Sequence, residues 1–477
     1  MNLRKIFFSF LVLIVLFCSF ILFKTLTFKS LQRNYQKVAS VTVPESAIRR
    51  FQDALAFRTI SYSDPLLLDT TAFSGFLRYV ATAFPLVDSL LEKRILGGYT
   101  LLYQWSGQSD SSPALIYSHY DVVPVDSASL TKWEAPPFSG DILDGYIYGR
   151  GALDDKVGVL ATLEAMELLL SKGFRPARTL YFGFGHDEEV GGNNGAGLIV
   201  SYLKKNGVKL KFSLDEGAPL MDGKLVGITR PVALIGTAEK GYVSYKLTIN
   251  TLGGHSSTPT EDNTIGSLAK AIVQLEQNQF DYLIAPVAEQ LRYLGPEMPF
   301  FRRMVFANLW MTESMILKQL NAHTTTAPTM IEGGIKDNVI PTTASVVINF
   351  RIMPGQSIQE VYDHVLEVVN DPRIQITPLP SGGYEASPVS SANTEAFELL
   401  EKTVKQVFGD VVVSPFLLPA GTDSKYFVTI SESSYRMNPA KISGISAAGF
   451  HGLNERISVE SYLSSVQFYH QLIVNIE

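Results

Sequence analysis

Cysteine is almost absent from this chain. Its 477 residues hold one, Cys18, and that one lies in an apolar run near the N-terminus. A lone cysteine excludes a disulfide framework and any cysteine-built zinc site. A metal, if one is bound, must be held by histidines and carboxylates. Strong charge is missing as well: a formal net charge of −6 gives no footing for nucleic-acid binding. The chain has no repeat period, low-complexity tract or long block of like charge. It also has no G-x-S-x-G elbow, which argues against a serine-nucleophile hydrolase.

Apolar residues are plentiful, at 46%, and the length exceeds one ordinary core, so two domains are expected. The N-terminus stands apart. An uncharged apolar run extends from Ile6 to Phe23, bracketed by Arg4, Lys5 and Lys24. Spanning a bilayer takes roughly 17–25 such residues, and this run reaches the lower end. No good small-x-small cleavage site follows it, so residues 1–25 read as an uncleaved membrane anchor, with a cleaved signal segment as the alternative. Basic residues flank both sides, namely Arg4 and Lys5 before and Lys24, Lys29, Arg33 and Lys37 after. Charge bias is therefore nearly balanced. The expected arrangement is a single pass with the body outside the cytoplasm, or a secreted body if the segment is cleaved.

Residues 26–43 read as a polar tether, and Pro44 suits a first helical position. From there to residue 240, short apolar strands such as "ALIYSHYDVV" and "ARTLYFGFG" alternate with helical patterns. "DKVGVLATLEAMELLLSKG" has apolar 3.6 spacing and ends on Gly173. That order predicts strand–helix–strand units and a parallel sheet. From Gly241 the pattern becomes alternating, as in "GYVSYKLTIN" and "ASVVINFRIMP". The expected fold class is α/β, a mostly parallel sheet with flanking helices over 44–240 and 358–477. A smaller α+β lid or dimerisation domain is inserted at 241–357, and a transmembrane helix precedes the whole.

Open α/β sheets place ligands at the carboxyl ends of their strands. Four polar clusters fall there or in adjoining loops: "SHYDVVP" with His119 and Asp121, "GRGALDDK" with Asp154 and Asp155, "GHDEEVGG" with Glu188 and Glu189, and "SLDEGAP" with Asp215 and Glu216. "GFHGLNERIS" near the C-terminus adds His451. Each has an ordinary explanation alone: an N-cap, a solvated turn, a packed histidine. Together they fit a pair of cations. Zinc takes imidazole and carboxylate donors at about 2.0–2.2 Å, and two metals about 3.5–4 Å apart need a shared ligand. A glutamate beside a ligand can then act as general base. Adjacent residues after a strand point in different directions, so Glu189 can bind metal while Glu188 faces water. Asp121, two residues after His119, can reach the other ring nitrogen and fix the tautomer.

These motifs, with "GGHSSTP", "DNVIP", "FRIMPG" and "AGTDS", make the chain resemble the dinuclear zinc metallopeptidases of the aminoacylase and glutamate carboxypeptidase type. Its closest resemblance is to the Gly-X carboxypeptidase branch, which includes N-acyl-amino-acid amidohydrolases. It covers about residues 45 to 477 in motif order. What it implies is two Zn2+ ions, one held by His119 and Asp215 and the other by Glu189 and His451, with Asp154 bridging. Glu216 remains a rival to Asp215. Glu188 becomes the general base and Asp121 the orienting acid. His255 resembles a histidine that reaches a neighbouring subunit's active site, which implies a homodimer. Asn338 resembles a carbonyl-binding partner, Arg351 a grip on the substrate's free carboxylate, and Gly421 and Thr422 part of a pocket lining. The implied substrate is a small peptide or an N-acyl amino acid, with hydrolysis or its reversal. The alternative is an inactive relative that only binds. One stretch departs from the pattern: "NQFDYLIAPVAEQLRYLGPEMPFFRRMVFANLW". It reads as a helical pair packing the dimer or lid, as an apolar wall for an acyl group, or as a bilayer contact.

Overall fold

The computed structural model describes residues 3–259, 263–380, 382–442 and 449–476. Its large sheet has eight strands: β1 (Glu92–Leu96), β2 (Thr100–Trp105), β3 (Ser109–His119), β4 (Arg178–Gly185), β5 (Phe212–Asp215), β6 (Val232–Glu239), β11 (Val412–Leu418) and β12 (Ser434–Arg436). Between β6 and β11 the chain forms β7 (Gly241–Asn250), β8 (Thr325–Gly333), β9 (Thr343–Ile352) and β10 (Ile374–Pro378). The large sheet runs in the order β1-β2-β4-β3-β5-β12-β6-β11. Its centre is parallel, with β3 paired to both β4 and β5, and β5 to β12. The antiparallel strands β1 and β2 close one edge. This is the α/β class with a mostly parallel sheet that the strand–helix alternation predicts.

Both faces of that sheet are covered, so its inner strands are apolar throughout and do not alternate. β4, "RTLYFGFG", is buried at every position after Arg178. The helices used below are α1 (Leu3–Thr27), α2 (Ser46–Leu55), α3 (Lys156–Ser171), α4 (Ala196–Lys205), α5 (Thr264–Gln277), α6 (Ala288–Leu294), α7 (Phe300–Ala307), α8 (Leu309–Gln319), α9 (Ile358–Val369), α10 (Glu395–Phe408) and α11 (Val459–Asn475). α3 lies between the sheet, α2 and α11 and is buried on nearly all sides. Its N-terminus is capped by Asp155, which accepts from Gly158 N at 3.3 Å. It ends where Gly173 takes a left-handed φ of 67°.

A second sheet, β8-β9-β7-β10, is wholly antiparallel. Helices α5 and α9 pack on one face of it through Leu268, Ala271, Leu275, Val361 and Val365. A single residue, Lys240, separates β6 of the large sheet from β7 of the small one. The small unit reaches past the expected boundary at 357, because α9 packs on this sheet and β10 pairs with β7. The aromatic stretch within it goes the other way. Val287 and Leu291 pack with Ala238 and Leu417 at the end of the large sheet.

α1 is 25 residues long, with mean hydropathy 3.0 in its most apolar window, and is exposed along almost its whole length. The segment after it is not a free tether. Gln32 hydrogen-bonds both polar groups of Val413 on the edge strand β11, at 2.7 and 2.9 Å. Arg33 pairs with the buried Glu401 of α10 at 2.7 Å. Val38 N donates to Gln406 O at 2.9 Å. The connection between α1 and the body is thus strapped along α10.

Candidate metal centre and active site

His119 is the last residue of β3, and its side chain is fully buried. Nδ1 lies 3.2 Å from Asp121 Oδ1 and Nε2 3.1 Å from Asp154 Oδ1. The other oxygen of Asp154, Oδ2, lies 3.0 Å from His451 Nε2, which is in turn 3.2 Å from Glu189 Oε1. Two donor groups result, His119–Asp154–Glu216 and Asp154–Glu189–His451, each with its atoms within 4.8 Å of one another. They share Asp154, one carboxylate oxygen facing each group.

The third member of the first group is Glu216. Its Oε1 is 3.5 Å from His119 Nε2. Asp215, expected there, is turned inward. It is the last residue of β5, and its carboxylate accepts from Ser424 Oγ at 3.0 Å and from Glu216 N at 2.8 Å. Successive side chains near a strand end point to opposite sides, so only one of this pair can reach the cluster, and Glu216 does. Asp154 and Asp155, in the turn before α3, also divide: the first joins the cluster and the second caps α3.

Asp121 is fully buried and ties the site together. Its Oδ2 accepts from Ser61 Oγ at 2.6 Å and Glu189 N at 3.2 Å, while Oδ1 accepts from Glu188 N at 3.1 Å. One carboxylate therefore fixes both the ring of His119 and the backbone of the Glu188–Glu189 turn. That turn ends on Gly191 and Gly192, at φ 111° and 74°, a region ordinary side chains avoid. A Cβ on Gly192 would lie 1.7 Å from Asp423 Oδ1. The paired glycines let the strand reverse at once behind its two glutamates.

Several supports lie in or beside the quoted motifs, which gave them no role. Glu455 accepts from the backbone of Leu153 and Asp154 at 2.8 and 3.2 Å, and pairs with Arg150 Nη1 at 2.6 Å. Arg150 also donates to His451 O at 3.2 Å. This buried pair joins the Asp154 loop to the His451 turn. Lys425, 3.8 Å from Asp423, brings a positive charge that acts on Glu188.

Crowding and burial shift the titration of these groups. Burial, then the charge of Glu216, pushes the Glu188 carboxyl well up. Burial and Asp154 do the same to Glu216. Hydrogen bonds to Asp154 and Glu189 raise His451 to about 10. For His119 burial acts downward but is outweighed by Glu216, Asp121 and Asp154, so its pKa lies well above the ordinary value. Acids this crowded and desolvated need positive charge among them. Glu189 Oε1 is buried, and its polar neighbour is His451 Nε2 at 3.2 Å. The donor set, imidazole and carboxylate without sulfur, suits zinc and related divalent ions.

The remaining predicted residues make no hydrogen bond or ion pair with the two donor groups among the described residues. His255 is exposed, pairs with Val339 across a two-residue ladder, and binds Ser257 Oγ through Nδ1 at 2.7 Å. Asn338 is exposed beside it and accepts from Ser256 N at 3.3 Å. No hydrogen bond or ion pair among the described residues links either one to the donor groups. Arg351 lies over the Tyr242 ring at 5.0 Å, Tyr242 stacks on Tyr384, and Lys425 lies 5.2 Å from Tyr384. Arg351 and Lys240 both line a cavity of about 300 Å³ whose other walls include Val287, Leu320, Phe416 and Leu417. In the "AGTDS" loop, Thr422 N and Oγ1 are already taken by the buried Glu239, at 3.0 and 2.9 Å. The Thr422 amide is therefore not free to face a ligand. Gly421 has no room for a side chain, since a Cβ would lie 1.9 Å from the Tyr384 hydroxyl.

Two donor groups sharing one carboxylate, at the carboxyl ends of a mostly parallel sheet, define a candidate two-cation centre in an α/β enzyme. The chain belongs to peptidase family M20/M25/M40, whose sequence model matches residues 115–475. It is 39% identical to the N-fatty-acyl-amino acid synthase/hydrolase PM20D1 of Xenopus tropicalis, over 98% of this chain and 94% of that protein. It is 40% identical to a probable carboxypeptidase S-like 2 of Dictyostelium discoideum, over 90% of this chain and 85% of that one. Among solved structures, the M20 family metallo-carboxypeptidase Sso-CP2 of Sulfolobus solfataricus shares the fold. The TM-score is 0.67 at 21% identity, covering 90% of this chain and 99% of that one.

Proposed function

We propose that this enzyme is a metal-dependent amide hydrolase that releases an amino acid from an N-acyl amino acid or from the C-terminus of a small peptide. The observation carrying this is the split carboxylate of Asp154, 3.1 Å from His119 and 3.0 Å from His451. His119, Asp154 and Glu216 would hold one ion, and Asp154, Glu189 and His451 the other. We take both ions to be zinc. When bound, such a pair supplies Lewis-acid polarisation of a carbonyl and acidification of water.

The chain's own residues do the rest. Glu188, beside the second ion's ligand and held by its backbone on Asp121, takes a proton from the attacking water and returns it to the leaving amine. Asp121 keeps His119 in the tautomer that presents Nε2 to the metal. Arg351 has no carboxylate partner among the described residues, which supports a role in holding the substrate's free carboxylate, for which a guanidinium fork is suited. His255 and Asn338, exposed and without a hydrogen bond or ion pair to the donor groups among the described residues, support a homodimer in which they serve the partner's site. α1 would anchor the enzyme in a membrane with the body outside the cytoplasm. Nothing in the donor set or base is missing, so the inactive-binder reading has no support.

The test is release of free amino acid by the zinc-loaded full chain from two panels, N-fatty-acyl amino acids and dipeptides. Release should occur from at least one and fall by about 10²–10⁴-fold in Glu188→Ala. Intact activity in that variant removes Glu188 from the proton-transfer role. No release from either panel by the metal-loaded chain rejects the proposal.

A further inference from the structure

Helices α7 and α8 expose an unusual set of large apolar side chains. Phe301 is 77% exposed and Trp310 54%, with Phe300, Met311 and Met315 also open. Clustered exposure of this kind marks an interaction surface, and here its neighbour is α1. The Trp310 ring lies 6.1 Å from both Phe17 and Phe20. Asn308 Nδ2 is 3.4 Å from Ile21 O and from Thr25 Oγ1. Below this contact, Phe28 packs so close to Gly295 that a Cβ there would meet its ring at 2.6 Å. The strap through Gln32, Arg33 and Val38 then fixes the direction of α1 against the body.

The depth of this contact decides its environment. The uncharged run of α1 ends at Phe23, just before Lys24. At a rise of about 1.5 Å per residue, Phe20 lies about 5 Å and Phe17 about 9 Å inside that end. Both belong to the part of α1 that fills hydrocarbon if the helix crosses a bilayer. Trp310, packed on both, must then sit at the same depth.

We propose that α7 and α8 form a second membrane contact beside α1, entering one leaflet with Phe300, Phe301, Trp310, Met311 and Met315, and that the occupant of this surface is a phospholipid bilayer. Tryptophan is enriched at the membrane interface. α7 contains Arg302 and Arg303 but no acid, and Lys24 and Lys29 follow the uncharged run of α1; Glu313 is the acidic residue of α8. Basic residues beside an apolar face suit a helix lying in the headgroup region. The proposal rests on the reading of α1 as a membrane span.

The chain's tryptophans make a direct test possible. There are three, and Trp105 and Trp133 are only 4% and 9% exposed. The full-length chain is reconstituted in phosphatidylcholine vesicles with plain or brominated acyl chains. The Trp310 emission is taken as the difference between the native chain and Trp310→Phe. Phe301→Trp in the Trp310→Phe background provides a second reporter. Both emissions should be strongly quenched by brominated lipid and shielded from aqueous acrylamide. A chain that survives an alkaline wash in the vesicles, yet shows neither reporter quenched by lipid, overturns the second contact and leaves the span standing. Shielding from both quenchers would mean that protein, such as a second copy, covers the face, and also overturns it. Release of the chain by the wash overturns the span and the second contact together.

Discussion

Asp121 performs three tasks with one carboxylate, and their common requirement is burial. It faces the Nδ1 of His119 and accepts from the amides of Glu188 and Glu189. Asp215 and Glu216 show how fine the selection is, since one step along the backbone separates a structural acid bound to Ser424 from one that meets His119. A sequence motif places both in the right loop but cannot choose between them, because the choice depends on which way the end of β5 faces. Replacement separates the roles. Glu216→Ala should lower bound metal from two ions per chain to about one, whereas Asp215→Asn should keep both; metal analysis after gel filtration reads the difference. The opposite pattern would return Asp215 to the ligand set. The same physics leaves Glu455 and Arg150 illegible. They look like ordinary loop charges in sequence, and only the fold shows that they join the Asp154 and His451 loops inside the protein.

At the scale of elements, what was legible had a period or a glycine. β3, β4 and α3 follow from apolar runs and from the stop at Gly173, and their ends carry the site. The extent of the inserted unit was not legible past 357, because β10 is short and its partner β7 lies far back in the chain. The aromatic helices were ambiguous because their burial depends on α1 and on the end of the large sheet together. The helix α11 carries a consequence for stability. His470 lies on its packed side, with neither ring nitrogen hydrogen-bonded among the described residues. Burial, and then Lys172, lowers its pKa to about 4, against about 6.5 for an unfolded chain. Between those values the unfolded state binds the extra proton, so stability rises with pH across that window. Its contribution is fully present above about 6.5 and is lost as pH falls toward 4. Unfolding midpoints measured across that range should fall with acidification, and His470→Leu should flatten the slope. An unchanged slope would mean that His470 does not titrate as a buried neutral ring.

The whole molecule combines a covered α/β body, a small antiparallel unit entered through Lys240, and an apolar helix strapped to the body. The division of labour is chemical. The body's strand ends gather the carboxylates and imidazoles, while the small unit carries Arg351, His255 and Asn338. The measurement that reaches the central claim most directly is a metal titration of the full chain after chelation. Zinc should restore amino-acid release in step with uptake, saturating at two ions per chain, and Asp154→Ala should lose both uptake and release because each donor group depends on that carboxylate. Full release from the chelated chain, or an Asp154→Ala chain that still binds two ions tightly, would contradict a shared two-metal centre.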